Sequence, residues 1–357
     1  MPALLKFIGG DITVSNMTIH FNDGDPCLPG YWNDLIYGDL ASGLVLADYG
    51  GTYVPEKRII KSKVDNVDFI AGNDGGNGVY GTIGNVAMLL YCGSDMWFIA
   101  DFMPLSKGNI SVTNCNFKDG LVGPNIWGFD ENAVIQIEGS VISGGMEQIF
   151  IGGNMGSSFS VKNNTFQNST FSDLYILGSD MGYFPGLLPL KETKFTISGN
   201  KFESPEGIIS LYMTDFFRTV DPDGVLPQLY DVKDNVFNNA EGGIAIQCLN
   251  NKNAKIWNNK FLGNGAVGVM IDGDEPSGSF AEMNQLIGNN YFGATYTDAS
   301  VYLGPYTKNC KVVGVKSDLV VDMGVNNSVI GTKANKLGVQ SAHFIALKGK
   351  PFHPKMK

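Results

Sequence analysis

The chain has 357 residues, of which only 17% are charged, and it contains 46 glycines. This profile favours many short strands joined by tight turns over a helical protein. The formal net charge is −10, and the sequence holds only two arginines, Arg58 and Arg218. Because no basic stripe could neutralise phosphates, the sequence predicts no nucleic-acid partner. It also favours a neutral polymer over a sulfated or polyuronate chain.

The cysteines and the start of the chain give few signals of processing or of metal binding. Five cysteines occur without a Cys-x-x-Cys pair, so we expect small buried hydrophobes rather than a disulfide framework or a zinc site. No stretch is apolar and long enough to span a membrane, and the opening residues do not form a signal peptide. Since the ends of a solenoid need a cap, we expect a segment upstream of residue 1.

A short motif recurs along the chain and closes on an aromatic or aliphatic residue. Its copies read TVSNMTIHF, KVDNVDFIA, SVTNCNFKD, QIEGSVISG, SVKNNTFQN, TISGNKFES, DVKDNVFNN, KIWNNKFLG and LIGNNYFGA. The closing residues are Ile19, Phe69, Phe117, Ile142, Phe166, Phe202, Phe237, Phe261 and Phe292. Their spacings are 50, 48, 25, 24, 36, 35, 24 and 31, so the shortest period is 24 or 25. An ankyrin or tetratricopeptide array would keep one fixed helical period, which this chain does not.

Each copy of the motif has the same internal order. A strand of alternating apolar and polar residues leads to Asn or Gly residues, which tolerate a left-handed corner. The closing aromatic residue and a second strand follow. Three sides per coil predict an all-β fold, a right-handed single-stranded parallel β-helix of about ten coils ~4.8 Å apart, with loop insertions on one side. We expect the aromatic column and a column of corner asparagines to join the coils: Asn66, Asn114, Asn163, Asn258 and Asn289.

The NNxF corners and GIxI strands resemble the generic right-handed β-helix repeats of the pectin-lyase-like superfamily, over roughly residues 11–305. That superfamily includes polysaccharide lyases, glycoside hydrolases, epimerases, phage tailspikes and surface proteins, so the resemblance implies the fold and a carbohydrate ligand. The Gly-His-Gly and Arg-x-Lys signatures of polygalacturonases are absent. So are the Asp-Pro-x-x-His of alginate epimerases and the Trp-x-Asp-His of pectate lyases, and those activities are therefore not implied.

The repeat indicates a single domain over residues 1–357. The regular coils occupy about residues 11–305. Residues 306–357 are expected to form C-terminal strands, a cap and a basic tail.

Three insertions follow the second strand, and insertions are where solenoids tend to carry function. They span residues 93–107, 178–191 and 213–228, and each begins near an Asp, carries aromatic residues and returns through Pro. Counted from the preceding closing Phe, Asp180 lies at +14, and both Asp215 and Asn250 lie at +13. We therefore expect these three residues to form one column on neighbouring coils.

The functional interpretation is a carbohydrate cleft on the outer face of the second strand, beside these loops. Two carboxylates one coil apart would be ~5 Å apart, near the spacing of a retaining glycosidase pair, and their repulsion would raise one pKa. A lyase would need a base and a cation instead. The predicted catalytic residues are Asp180, Asp215 and Arg218. The predicted substrate-binding residues are Asp95, Trp97, Tyr175, Tyr183, Tyr212, Phe217, Gln247 and Asn250.

A structural interpretation stands beside the functional one. Each Asp would cap a turn, each aromatic residue would seal its loop onto the coils, and Arg218 would pair with Asp215 or Asp221. If Ile209, Leu211, Ile244 and Ile246 point inward, then Ser210, Tyr212 and Gln247 point outward.

The sequence thus predicts a polysaccharide-active or polysaccharide-binding protein, a lyase or glycoside hydrolase if it is an enzyme. The alternative is a non-catalytic surface or adhesion protein. The expected partner is a polysaccharide or glycan. No cofactor is predicted, although acidic turns such as residues 272–275 leave calcium open. The superfamily alone implies an extracellular or cell-surface location.

Overall fold

The computed structural model describes most of the regular coils. The described residues are 3–8, 11–21, 42–47, 59–71, 86–91, 107–118, 122–127, 133–145, 147–151, 156–177, 192–215, 228–238, 242–276, 278–314, 320–331 and 334–335. Within these ranges no helix occurs, and the named strands pair in parallel. The all-β prediction is therefore confirmed.

One side of the solenoid is a 12-stranded sheet, which we call sheet A. Its strands are β1 (Ala3–Ile8), β3 (Ser42–Ala47), β5 (Val86–Tyr91), β8 (Val122–Trp127), β11 (Glu147–Ile151), β14 (Ser172–Leu177), β17 (Ile209–Thr214), β20 (Ile244–Leu249), β23 (Val267–Asp272), β26 (Ala299–Leu303), β29 (Val320–Asp322) and β31 (Ala334–Asn335). Neighbouring strands of this sheet belong to successive coils.

The other two sides form a 17-stranded sheet B, which bends at a corner into two arms. The first arm contains β2 (Ile12–Phe21), β4 (Ile59–Ala71), β6 (Lys107–Thr113), β9 (Val134–Glu138), β12 (Ser158–Lys162), β15 (Lys194–Ser198), β18 (Leu229–Lys233), β21 (Lys255–Trp257), β25 (Gln285–Ile287), β28 (Lys311–Val313) and β30 (Ser328–Ile330). The second arm contains β7 (Asn116–Lys118), β10 (Val141–Ser143), β13 (Thr165–Gln167), β16 (Lys201–Glu203), β19 (Val236–Phe237) and β22 (Lys260–Phe261). A two-stranded sheet joins β24 (Ala281–Glu282) to β27 (Thr307–Lys308).

The strand pairing confirms the right-handed parallel β-helix, the fold of the pectin-lyase-like superfamily that the repeat resembles. The order of sheet A, first arm and second arm repeats from coil to coil. Ile19 pairs with Phe69, and Phe69 pairs with Phe117, so each of the two longest intervals is one coil with a long connection.

The predicted aromatic column lies inside the solenoid. Successive rings stack nearly parallel, with centroids 4.8 Å apart for Phe166 and Phe202 and 4.6 Å apart for Phe202 and Phe237. The last predicted member is wrong: Phe292 is 83% exposed, and Tyr291 stacks on Phe261 at 4.4 Å instead. In each coil with a buried corner Asn, the stacked ring lies two residues after that Asn, and here it is Asn289. Aligning this copy on Phe292 therefore shifts it by one residue.

The corner between the two arms, which we call the Asn corner, carries two columns rather than the single predicted one. The exposed column contains Asn66, Asn114, Asn163 and Asn258, all with φ between 53° and 55°. The next residue in each coil is buried, and Asn289 belongs to this second column together with Asn164, Asn200, Asn235 and Asn259. Placing Asn289 with the exposed residues is therefore wrong.

The buried column is a continuous hydrogen-bonded ladder. The backbone N and Nδ2 of Asn200 donate to Oδ1 of Asn235 at 2.9 and 3.0 Å, and Asn164 donates to Oδ1 of Asn200 in the same way. The Nδ2 of Asn200 also reaches the carbonyl oxygen of Val161 at 2.9 Å. Because each amide satisfies polar groups of two coils, this ladder fixes the stacking register.

The cysteines behave as the sequence predicts within the described ranges. Cys115, Cys248 and Cys310 are free and buried. Burial raises the pKa of the Cys115 thiol to about 11, which keeps it protonated and unreactive at neutral pH. The described residues contain no helix that could cross a membrane.

Candidate functional site

Sheet A has an inner and an outer face, because successive side chains of a strand point to opposite sides. Leu174 and Ile176 of β14 lie in the main core, whereas Tyr175 between them packs against a second, smaller apolar cluster. Strand pairing aligns Tyr175 with Tyr212 of β17 and Tyr212 with Gln247 of β20. These three predicted binding residues therefore form one column on the outer face.

The start of each strand departs from simple alternation. Ile209 and Ile244 were expected to point inward. They belong instead to the second, smaller apolar cluster on the outer face, which also contains Tyr212 and which we call the outer cluster. Ser210, expected to point outward, is 3% exposed and hydrogen bonds to the fully buried carboxyl of Asp173. The prediction is wrong because the strand leaves its turn with two consecutive inward residues, which strict alternation cannot anticipate.

The outer column is built from stacked rings. The ring centroids of Tyr175 and Tyr212 are 4.4 Å apart, and those of Phe150 and Tyr175 are 5.5 Å apart. Rings that cover each other's faces present their edges and hydroxyl groups outward. Tyr212 and Gln247 are only 9% and 7% exposed, whereas Phe150 and Tyr175 are half-buried. The accessible described part of this column is therefore Phe150 and Tyr175.

The three insertions start from one edge of sheet A. Leu90 of β5 aligns with Ile126, Ile126 with Ile151, Ile151 with Ile176, and Ile176 with Met213. These aligned residues lie near the C-terminal ends of their strands, where the chain leaves sheet A for the first arm of sheet B. The three insertions begin zero to three residues after this aligned row: residues 93–107, 178–191 and 213–228. We call this side of the coil the loop corner.

Asp215 and Asn250 lie side by side at the loop corner, as predicted. Thr214 pairs with Leu249, and the backbone N of Asp215 donates to the carbonyl oxygen of Leu249 at 3.0 Å. Asp215 is 4% exposed, and its Oδ2 accepts a hydrogen bond of 3.4 Å from the backbone N of Gln228. Its carboxylate therefore bridges the two ends of the third insertion, the geometry that a turn-capping Asp requires.

Asn250 is also engaged within the protein. Its Oδ1 accepts a hydrogen bond of 2.8 Å from Oγ of Ser279, and the residue is 4% exposed. The remaining predicted site residues lie outside the described residues: Asp95, Trp97, Asp180, Tyr183, Phe217 and Arg218.

Glu147 is a feature of the outer face that sequence reasoning missed. It opens β11 and pairs with Ser172, which pairs in turn with Ile209 of the outer cluster. Burial raises the pKa of the Glu147 carboxyl to about 7, so it carries a proton for part of the time at neutral pH. That is the property of a general acid. Its signal in the sequence is a carboxylate at a position that is apolar from Ile209 onward.

A second exposed aromatic residue lies on the outer face of the first arm of sheet B. Trp257 is 37% exposed, and its Nε1 donates to Oδ1 of Asp231 at 2.6 Å. Lys233 binds Oδ2 of the same carboxylate at 2.8 Å, and its Nζ lies 5.2 Å from the centre of the Trp257 ring. One ring face is thus occupied by a cation of the neighbouring coil.

No metal centre is found where the chain is described, since no group of three or more His, Cys, Asp or Glu side chains converges there. Of the acidic turns, residues 272–275 fall within the described ranges. Oδ1 of Asp272 accepts hydrogen bonds from the backbone N of Gly273 at 2.9 Å and of Tyr306 at 3.0 Å. This oxygen thus ties the loop base of one coil to the next.

Comparisons with known proteins return solved structures of other β-helix proteins. No protein-family model matches the chain, and no curated sequence is similar to it. An alginate lyase from Paenibacillus sp. str. FPU-7 is 14% identical, with 82% of this chain and 99% of that chain covered and a TM-score of 0.34. A mannuronan C-5 epimerase A-module from Azotobacter vinelandii is 10% identical, with 92% and 90% covered and a TM-score of 0.40.

The surface adhesin PfbA of Streptococcus pneumoniae is 9% identical, with 93% of this chain and 84% of that chain covered and a TM-score of 0.29. PfbA is an adhesin, whereas the other two proteins are enzymes. The likeness concerns the fold and assigns no activity to this chain.

Proposed function

We propose that this protein binds a polysaccharide along the outer face of sheet A, beside the loop corner. The observation that carries the proposal is the common starting level of the three insertions, given by the pairing from Leu90 through Ile176 to Met213. Insertions that start at one level of a parallel sheet border a single continuous face. A linear polymer on that face would meet equivalent side chains at intervals of ~4.8 Å.

The charge of the chain supports a neutral or weakly charged ligand. The net charge is −10, so a strongly anionic polymer would be repelled over much of the surface. Phe150 and Tyr175 supply the accessible aromatic surface of the described face.

In the enzymatic version of the proposal, the protein is a glycoside hydrolase or a polysaccharide lyase. Asp180 and Asp215 would act as the carboxylate pair, and Arg218 would neutralise a substrate carboxylate. Glu147, with its pKa raised to about 7 by burial, is a separate candidate proton donor on this face, at the opposite end of the strands from Asp215. No cofactor is part of the proposal.

The non-catalytic version is a surface or adhesion protein, and one observation favours it. Asp215 is almost fully buried and binds the backbone of Gln228, so its carboxylate holds the base of an insertion rather than facing a ligand. An extracellular or cell-surface location belongs to both versions, because that is where polysaccharide ligands are met.

A screen over neutral and acidic polysaccharides separates the two versions. New reducing ends indicate a hydrolase, unsaturated-product absorbance indicates a lyase, and binding without either product indicates the non-catalytic protein. For an enzyme, we expect E147Q, D180A, D215A or R218A to lower kcat by at least tenfold, with D68N as the exposed control. Absence of binding and of turnover with every polysaccharide would contradict the proposal.

A further inference from the structure

Two buried side-chain oxygen atoms on adjacent strands of sheet A have no hydrogen-bond partner. They are Oε1 of Gln148 on β11 and Oδ2 of Asp173 on β14. Gln148 and Asp173 occupy equivalent positions on adjacent strands. Their neighbours on either side are paired, Glu147 with Ser172 and Ile149 with Leu174. Gln148 is 1% exposed and Asp173 is 0% exposed. A buried polar atom without a partner destabilises the fold, so two of them together require an explanation.

The orientation of Gln148 is fixed by its amide nitrogen. Its Nε2 donates to the carbonyl oxygen of Gly144 at 3.1 Å and to that of Gln167. Exchanging the oxygen and nitrogen of the amide would place Oε1 against two carbonyl oxygens, all of them acceptors. Oε1 must therefore be the atom that is left without a partner, and it needs a donor.

The other oxygen of Asp173 is saturated with donors. Its Oδ1 accepts hydrogen bonds from Oγ of Ser169 at 2.7 Å and from Oγ of Ser204, and Ser210 also binds the carboxyl. None of these partners is charged. The titratable residues of the flanking strands, Glu147 and Glu203, are half-buried on the outside of the coil. Among the residues that the structure describes, no cation is a partner of an ionised Asp173.

We propose that Asp173 is a neutral carboxylic acid in the folded protein and that its protonated Oδ2 donates a hydrogen bond to Oε1 of Gln148. Protonation converts one of the two unpartnered acceptors into a donor, which satisfies both atoms in a single step. It also removes an uncompensated charge from the interior of the solenoid. The resulting bond joins adjacent coils beneath sheet A, as the asparagine ladder joins them at the Asn corner.

The proposal has a consequence for stability as pH changes. Burial raises the pKa of Asp173 from its ordinary value of 3.8 to about 7. Between these values the unfolded chain loses this proton while the folded protein keeps it, so the free energy of unfolding falls as pH rises. The contribution is fully present below pH 3.8, declines up to pH 7, and is constant above.

The D173N protein tests this assignment, because an amide keeps the shape of the acid and supplies an N–H donor in place of the O–H. We expect the folding equilibrium constant of D173N, divided by that of the wild type, to rise on the order of a thousand-fold from pH 3.5 to pH 8. The matched control is D68N, which makes the same substitution at an exposed position away from Gln148 and Asp173. A ratio for D173N that is constant or falls with pH would overturn the proposal.

A second readout needs only the wild-type chain and therefore works even if D173N fails to fold. In protein with ¹³C-labelled aspartate, the assigned carboxyl carbon of Asp173 should still report the protonated form at pH 5.5. A carboxyl carbon of Asp173 already ionised at pH 5.5 would contradict the neutral acid, whatever the stability of the variant.

Discussion

The loop corner and the Asn corner lie at opposite ends of the strands in the first arm of sheet B. They differ in how much the length of the chain varies from coil to coil. At the Asn corner the described coils turn within the same few residues, at a left-handed residue. In the coils of Asn164, Asn200, Asn235, Asn259 and Asn289 a buried amide follows that residue. At the loop corner the chain passes from Ile151 to Ser158 in one coil and from Leu177 to Lys194 in the next. The length of the turn is therefore constant at the corner that carries the hydrogen-bonded ladder. It varies at the loop corner, which lies outside the ladder and accepts insertions.

This comparison predicts that changes at or beneath the Asn corner destabilise the fold without altering a ligand site. The largest effect is expected for Phe202→Ala, which removes a fully buried ring stacked between Phe166 and Phe237. We expect a loss of about 3–5 kcal/mol in the free energy of unfolding, measured by denaturant titration. A loss below 1 kcal/mol would show that the column is not the core of the coil.

The second largest effect is expected for Asn200→Ala. The substitution removes the Nδ2 donor to the carbonyl of Val161 and one of the two donors to Oδ1 of Asn235. It also removes the Oδ1 acceptor of the backbone N and Nδ2 of Asn164. Unmade hydrogen bonds of this kind predict a loss of about 2–4 kcal/mol in the free energy of unfolding. Asn200→Asp is the informative companion: it keeps the acceptor oxygen and loses the donor, so it should also be destabilising.

A smaller effect is expected one residue earlier in the corner. Asn163 is exposed with φ of 54°, a left-handed conformation that Gly and Asn adopt readily and that costs alanine about 1 kcal/mol. Asn163→Ala should therefore lower the free energy of unfolding by about 1 kcal/mol, whereas Asn163→Gly should leave it within about 0.5 kcal/mol. Equal losses for the two variants would mean that the exposed column is held by its side chains.

An effect that depends on pH is expected on the outer face of sheet A, at Glu147. Its pKa is raised from 4.5 to about 7, so it stabilises the fold fully below pH 4.5, and this contribution is lost as pH rises through 7. Glu147→Gln should flatten that part of the pH profile of the unfolding midpoint. An unchanged profile would mean that the carboxyl is well solvated.

Much of the fold could be predicted from the sequence, because the corner repeats the same chemistry in each coil. Phe166, Phe202, Phe237 and Phe261 all occupy the predicted column. The shift from Phe292 to Tyr291 arose because the pattern was aligned on residue type, whereas the structure selects the position two residues after the buried Asn.

The candidate site was less predictable, for a physical reason. Spacing from the corner places Asp215 beside Asn250, since the strands between have equal lengths. It could not show that Asp215 closes its own insertion, or that Ser210 turns inward to Asp173. Glu147 was missed because its raised pKa depends on burial, which comes from neighbouring coils.

The most direct test of the proposed function is a binding measurement on two variants with aromatic residues on different faces. Tyr175→Ala alters the accessible column of sheet A, and Trp257→Ala alters the outer face of sheet B. With a polysaccharide that the wild type binds, we predict that Tyr175→Ala raises Kd about tenfold or more, equivalent to ~1.4 kcal/mol, and that Trp257→Ala leaves Kd unchanged. Weakened binding by Trp257→Ala with Tyr175→Ala unaffected would contradict the account and place the ligand on sheet B.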